Sequence, residues 1–257
     1  TRTSVRHFFS DEVRKRTAAA LRERQNLLGL GDDYGTPQLK RERLEKADEL
    51  LDLVRFIGDA AVAAFFAADK DKARETKRAE LAERLSDYLG KGELKKRPTE
   101  EVTELRGGRF PVRPFHWQIE FPEVFDRENS GFDAFVGNPP FSGVTALSEG
   151  NRDGYTDWLR LNHGDSGGKC DLVAFFFRHA AQLVRSGGTV GLIATNTIAQ
   201  GDTRRSSLQP LVKLGCTIYH TIRRQRWPGQ AAVIVSVVHF CKGAIHPPFE
   251  LDGKQVN

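Results

Sequence analysis

Apolar residues recur at three- and four-residue steps through LEKADELLDLVRFIGDAAVAAFFAA, residues 44–68. That spacing puts one face of an α-helix into a core. Thr36-Pro37 opens this helix, because a proline in the first turn lacks only an N–H that no helical carbonyl would accept. Upstream, Ser10 followed by Asp11 and Glu12 predicts an N-cap with an acidic first turn, and Gly29 predicts the stop. KDKARETKRAELAERLSDYLG, residues 70–90, predicts a third, charge-laced helix ending at Gly90.

The pattern then changes. FHWQIEF (115–121) alternates, with Phe115, Trp117, Ile119 and Phe121 on one side, and predicts a half-buried strand. FDAFVG (132–137) is a short apolar run. DLVAFFFRHAAQLVRSGG (171–188) predicts an amphipathic helix with Leu172, Phe176, Ala180 and Leu183 on one side and Gly187 as its cap. TVGLIAT (189–195) predicts a buried strand, and SSLQPLVKLG (206–215) a short helix despite Pro210. CTIYHTI and AAVIVSVVHF predict two strands bracketing RRQRWPGQ. Alternating strands and helices predict an α/β fold whose sheet is mostly parallel with an antiparallel edge hairpin. Three segments are expected: a charged helical region at 1–110, a sheet-bearing domain at 111–245, and a linker at 246–257.

Composition sharpens this division. Residues 1–110 hold 24 Lys+Arg and 21 Asp+Glu, whereas residues 111–257 hold 15 and 13. Mixed charge this dense reads as solvated helix faces, as in a helical hairpin protruding from an enzyme. The net charge of +5 permits a polyanionic partner without requiring one. No apolar run is long enough for a membrane span, and TRTSVRHFF has no signal-peptide core, so the cytoplasm is the expected compartment. Cys170, Cys216 and Cys241 lie far apart, which predicts neither a disulfide frame nor a zinc site. The histidines show no ligand spacing, and no metal is expected. The chain contains no methionine, even at position 1, and is expected to have been cut from something longer.

The candidate chemistry lies where FDAFVG ends, at Asn138-Pro139-Pro140-Phe141. In open α/β sheets, ligands bind beyond the carboxyl ends of strands. Proline fixes φ and drives the preceding residue to an extended shape, so this turn holds the Asn138 side chain and the Pro139 carbonyl rigidly. Neither proline has an N–H to compete for those acceptors. Two acceptors beside an aromatic ring suit a planar amine, whose N–H groups they take while the ring stacks on its heterocycle. An Asn-Pro-Pro-aromatic tetrapeptide arises by chance in roughly a few per thousand chains of this length.

This tetrapeptide resembles motif IV of S-adenosylmethionine-dependent amino-group methyltransferases, N-P-P-[YFW], which receives an adenine N6. The wider series HWQIEFPEVF, FDAFVGNPPF, KCDLVAFFF, GGTVGLIATNT and WPGQAAVIVSVV is similar to adenine-specific DNA methyltransferases of type II restriction–modification and phage-defence systems. The likeness covers roughly residues 111–243, and the helix at ADELLDLVRFIGDAAVAAFFAA is similar to a helical insertion of those enzymes. The resemblance implies a class I, Rossmann-like methyltransferase sheet. It implies that Asn138, through its side-chain oxygen, and Pro139, through its carbonyl, hold the target N6, with Pro140 setting the turn and Phe141 stacking the flipped base. Asn138, Pro139 and Asp171 would border S-adenosylmethionine. DNA would be the partner, alongside restriction or defence-system subunits. RNA-adenine and protein-glutamine methyltransferases share the tetrapeptide, and a non-catalytic nucleic-acid-binding subunit could retain the fold.

One departure matters. The resembling enzymes hold the cofactor with a glycine-rich loop after their first strand and an acidic residue ending the second. GLGDDYG (29–35) follows a helix, and GGRF (107–110) has no strand before it. The chain therefore reads as the second half of such a sheet and is expected to be inactive alone. Asp171 also fits as a helix cap and Asn196 as a turn residue. Arg204, Arg205, Arg223, Arg224 and Arg226 are candidate phosphate contacts. His116 and Trp117 read as packing residues.

Overall fold

The computed structural model of the protein describes residues 2–30, 36–91, 100–164, 170–227 and 233–256. The chain divides into two compact units, Thr1–Glu123 and Val124–Asn257. No described helix is long and apolar enough to cross a membrane.

The first unit is helical: α1 (Arg2–Leu28), α2 (Thr36–Phe66), α3 (Asp71–Lys91) and α4 (Glu100–Arg106). Phe56, Ala60, Ala63 and Ala64 of α2 pack with Leu81 and Leu85 of α3 and with Val102 and Leu105 of α4. Ala20 of α1 meets Ala47 and Leu51 of α2. Leu51 and Leu105 are almost wholly buried, each contributing about 2 kcal/mol of transfer free energy. Three helices fall in the stretches where the sequence predicts them. Ser10, however, does not start α1: the helix begins at Arg2, because no Pro or Gly upstream interrupts it.

FHWQIEF is not a strand. It forms a one-turn helix, α5 (Trp117–Glu120), with Glu120 N–H and Phe121 N–H donating to the carbonyls of His116 and Trp117. The turn stacks Trp117 on Phe121 at 6.0 Å and sets Phe115 edge-on to Trp117 at 4.9 Å. Ile119 packs against the Ala20–Ala47–Leu51 cluster, and Arg55 grips Glu120 with two hydrogen bonds of 2.7 and 2.9 Å. Helix packing thus overrides a local pattern that alternates. The segment belongs to the helical unit rather than to the sheet. A short turn of helix, α6 (Pro122–Phe125), follows it.

The second unit contains β1 (Phe132–Gly137), α7 (Val144–Glu149), α8 (Tyr155–His163), α9 (Leu172–Leu183) and β2 (Val184–Thr195). A 3₁₀ turn (Asn196–Ala199) leads to α10 (Gly201–Ser206), α11 (Leu208–Lys213), β3 (Cys216–Arg226), β4 (Ile234–Lys242), β5 (Phe249–Leu251) and β6 (Lys254–Val256). The strands lie in the order β1-β2-β4-β3-β5-β6. Parallel pairing of β1 with β2 and β3 with β5, and antiparallel pairing elsewhere, sends β1, β2, β3 and β5 one way. Only β4 and β6 run against them. The α/β class follows the sequence expectation, but β4 lies inside the sheet, between β2 and β3. The rim is a second hairpin, β5–β6, in the stretch expected to be a linker.

Helices α9 and α11 pack on β2 and β3. Val173, Phe177, Ala180 and Ala181 of α9 enter a core with Val190, Leu192, Ala194, Val238 and Phe240. Phe176, predicted to face inward, is 39% exposed, whereas Phe175 is buried in a second cluster with Leu147 and Leu159. Two clusters on different sides of α9 shift its buried face from the predicted stripe. Nor does Gly187 cap this helix. The chain passes straight into β2, and Lys242 Nζ donates to the carbonyls of Val184 at 2.8 Å and Gln182 at 3.5 Å, capping α9 with a cation. Pro210 is tolerated in α11 because it sits in the first turn.

Candidate functional site

Strand direction brings the candidate residues to one sheet edge. Gly137, ending β1, is in register with Leu192 of β2. Thr195, ending β2, pairs with Val235 near the start of β4, and Arg226, ending β3, pairs with Ile234. Asn138–Phe141, the turn after Thr195, and the end of the β3–β4 hairpin therefore share the carboxyl edge.

At that edge Asn138 is exposed, Pro139 is buried, Pro140 is exposed and Phe141 is half-buried. Phe141 packs against the core cluster of α9 and β2. Among the described residues none hydrogen-bonds the Asn138 side chain. The segment, an irregular loop with no hydrogen-bonded turn or bend, thus has a buried proline, a ring held against the core, and an amide left free by the described residues. Residues 138–143 are tied down at their far end by Leu172 N–H, which donates to the Ser142 carbonyl at 2.8 Å.

Asp171 occupies the N-cap position of α9, yet its side chain makes no capping bond. Its Oδ2 instead accepts from Thr197 Oγ1 at 2.6 Å and Thr195 Oγ1 at 3.2 Å, and the two hydroxyls lie 2.6 Å apart. Asp171 N–H is 3.4 Å from Thr203 Oγ1 of α10. Sequence reading missed Thr195 and Thr197; their one local signal is the TNT triplet following a strand. Asn196 between them is half-buried, and no described residue hydrogen-bonds its side chain.

The five candidate arginines are all exposed but not equivalent. Arg223 donates Nε–H to Asp252 Oδ2 at 2.9 Å, has its NH2 group 2.7 Å from the same oxygen, and donates its backbone N–H to Asp252 Oδ1 at 2.7 Å. These contacts, the backbone one foremost, hold the Asp252 carboxyl below its ordinary range. Arg205 lies 3.4 Å from Asp202 one turn away. Arg204, Arg224 and Arg226 have no ion-pair partner among the described residues. Arg224 adopts a left-handed φ of 56° at an irregularity in the β3–β4 register, which turns it out of strand alternation. Trp227 N–H donates to the Val233 carbonyl at 2.9 Å; Pro228 and Gly229 lie outside the described residues.

His116 belongs to the helical unit. Its Nε2 is 2.9 Å from Oδ1 of the buried Asp59, whose other oxygen takes Arg106. The pairing satisfies a carboxylate that would cost several kcal/mol if buried alone. Trp117 packs with Phe121 in the same unit. No group of three His, Cys, Asp or Glu among the described residues could hold a metal ion. Of the two glycine clusters, GGRF follows α4 rather than a strand, and residues 31–35 of GLGDDYG lie outside the described residues.

A family model described as Eco57I restriction-modification methylase matches residues 64–213, more than half of the chain and including Asn138–Phe141 and Asp171. The chain is 28% identical over 120 residues to RM.MjaORFECS2P of Methanocaldococcus jannaschii, whose name assigns it to the type II restriction enzymes and methyltransferases. That stretch covers 47% of this chain and 9% of the relative. Among solved structures, the type IIL restriction-modification enzyme MmeI in complex with DNA is 23% identical with a TM-score of 0.40, covering 56% of this chain and 21% of its own. The M protein of the type I restriction enzyme EcoKI is 10% identical with a TM-score of 0.34, covering 88% of this chain and 55% of its own. The chain thus spans a minor part of the curated relative and of MmeI.

Proposed function

The chain belongs to the Eco57I restriction-modification methylase family, and from that membership we propose that it forms part of an enzyme methylating adenine N6 in DNA, in restriction–modification or phage defence. The observation that carries this reading is the Asn138 side chain. It is exposed and unengaged by the described residues, directly after a strand, on a loop whose ring is seated against the core.

S-adenosylmethionine is the proposed methyl donor; when bound, it supplies a methyl group made electrophilic by its sulfonium. The described residues suit the nucleophile's side of that exchange. A glycine-rich strand-to-helix turn, which would hold the donor, is absent among them, and β1 is the first described strand. Adenine N6 is a poor nucleophile because its lone pair is delocalised into the ring. Asn138 Oδ1 and the Pro139 carbonyl would accept its two N–H groups and favour a pyramidal nitrogen with a localised lone pair. That gain is realised mainly in the transition state. Phe141 would stack on the extruded base, since N6 is unreachable inside a duplex. Arg204, Arg224 and Arg226, on or near the same edge, would meet phosphates. The 257-residue chain by itself is expected to transfer no methyl group.

The encoding gene, expressed in a host lacking adenine methylation, tests this. Mass spectrometry of host nucleosides should find N6-methyladenine, and Asn138→Ala should abolish it. Methylcytosine, methylated RNA adenine or methylglutamine in its place would overturn the assignment.

A further inference from the structure

The amine-binding loop is not held by its own residues alone. Four hydrogen bonds link the start of α9 to the loop leaving β1, to the end of β2 with the turn after it, and to α10. Asp171 Oδ2 accepts from Thr195 and Thr197, Asp171 N–H donates to Thr203 Oγ1, and Leu172 N–H donates to the carbonyl of Ser142. The loop leaving β1 and the loop leaving β2 are therefore fastened to adjacent residues of one helix. Asp171 is half-buried, and its Oδ1 sits 3.6 Å from where a Cβ on Gly143 would stand, so the carboxylate lies directly beside the 138–143 loop.

The chemistry explains why a carboxylate stands here. A hydroxyl donates one proton. Thr195 and Thr197 are 2.6 Å apart, and with each proton directed at Asp171 Oδ2 neither is left for the other, so the carboxylate is what draws the two hydroxyls together. A carboxylate oxygen has lone pairs enough to take both hydroxyls. Helix capping does not account for the residue, because the side chain makes no capping bond.

We infer that Asp171, acting through Thr195 and Thr197, is a positioning residue for the Asn138–Phe141 loop, clamping the carboxyl ends of β1 and β2 into one rigid edge. The inference rests on the reading of that loop as the amine site. Asp171 itself touches no reacting atom in this scheme. Its loss would leave Asn138 present but mobile, which lowers turnover rather than DNA binding.

Hydrogen exchange of the 257-residue chain provides a readout independent of activity. Asp171→Ala and Thr197→Val should each speed exchange of amides in 138–143 and 195–200 about tenfold, with β4 and the middle of α9 unchanged. Asp171→Asn, whose side-chain oxygen still accepts, and Thr197→Ser, which keeps the hydroxyl, should restore protection. In the encoded enzyme, Asp171→Ala should lower kcat about tenfold with KM for DNA unchanged, and Asp171→Asn should recover most of it. Unchanged exchange at 138–143 in Asp171→Ala, or failure of Asp171→Asn to rescue, overturns the inference. Asn138→Ala separates the two readings: it should leave exchange as in the wild type and abolish methylation. If it retained methylation, the amine site would be wrong while the clamp stood.

Discussion

Asp252 holds Arg223 across 29 residues of sequence, taking its guanidinium on one carboxylate oxygen at 2.7–2.9 Å and its backbone N–H on the other at 2.7 Å. The carboxylate stands in the two-residue turn between β5 and β6, where Asp252 and Gly253 both have positive φ, of 53° and 77°. One arginine of the basic run at the β3 end is thereby neutralised, and its neighbours Arg224 and Arg226 have no such partner among the described residues.

This pairing divides the candidate phosphate contacts. Arg204→Ala, Arg224→Ala and Arg226→Ala should each weaken DNA binding and reduce the log–log salt slope by about one. Arg223→Ala should leave that slope unchanged, whereas Asp252→Ala, which frees Arg223, should steepen it. Fluorescence anisotropy over a salt series checks all five. Equal effects of Arg223→Ala and Arg226→Ala would show the pairing to be irrelevant to binding.

His163 ends α8, only 9% exposed, with its ring beside Phe175 and its Nδ1 unpartnered among the described residues. Burial first, then the charges of Arg178 and His179, lower its pKa from 6.5 to about 4. The folded chain therefore binds fewer protons than the unfolded chain between these values. Stability should fall as pH drops from 6.5 toward 4, by on the order of 2 kcal/mol after allowance for solvent screening. Urea midpoints from pH 7.5 to pH 4 should show the decline, and His163→Phe should flatten it relative to the wild type.

Gly131 precedes β1 with φ of 118°, and a Cβ there would stand 2.6 Å from Arg185 N and from Leu183 O. Both obstacles are backbone and cannot swing aside. Gly131→Ala should cost on the order of 3 kcal/mol, read from chemical denaturation. Gly137, where the nearest atom to an added Cβ is Leu192 Cδ2 at 3.6 Å, supplies the contrast. Gly137→Ala should cost under about 1 kcal/mol.

Much of the fold was legible because its signals are local. Helix α2 follows from three- and four-residue periodicity, α3 from a charge-laced run closed by a glycine, and β2 and β4 from continuous apolar runs. The β5–β6 hairpin escaped because its strands are three residues each. Asp252-Gly253 was the available sign, being a residue pair suited to two positive φ angles. FHWQIEF misled because alternation says nothing of which partners are at hand, and here Arg55 and the Ala20–Ala47–Leu51 cluster drew it into a helical turn. Phe176 misled similarly: a helix between two clusters has no single buried stripe.

The amino-acid sequence by itself determined the place of Asn138–Phe141 after a strand and the stiffness of its backbone, since proline's ring and its steric effect on the preceding residue act within three bonds of the backbone; the turn expected there is an irregular loop. Only the tertiary structure decided that no described residue engages the Asn138 side chain, that Asp171 serves Thr195 and Thr197 rather than its own helix, and that Arg223 is spent on Asp252. Those partners lie 24, 26 and 29 residues away. Hydrogen bonds and ion pairs reach only about 3–4 Å, and which groups come within that reach is set by the sheet order.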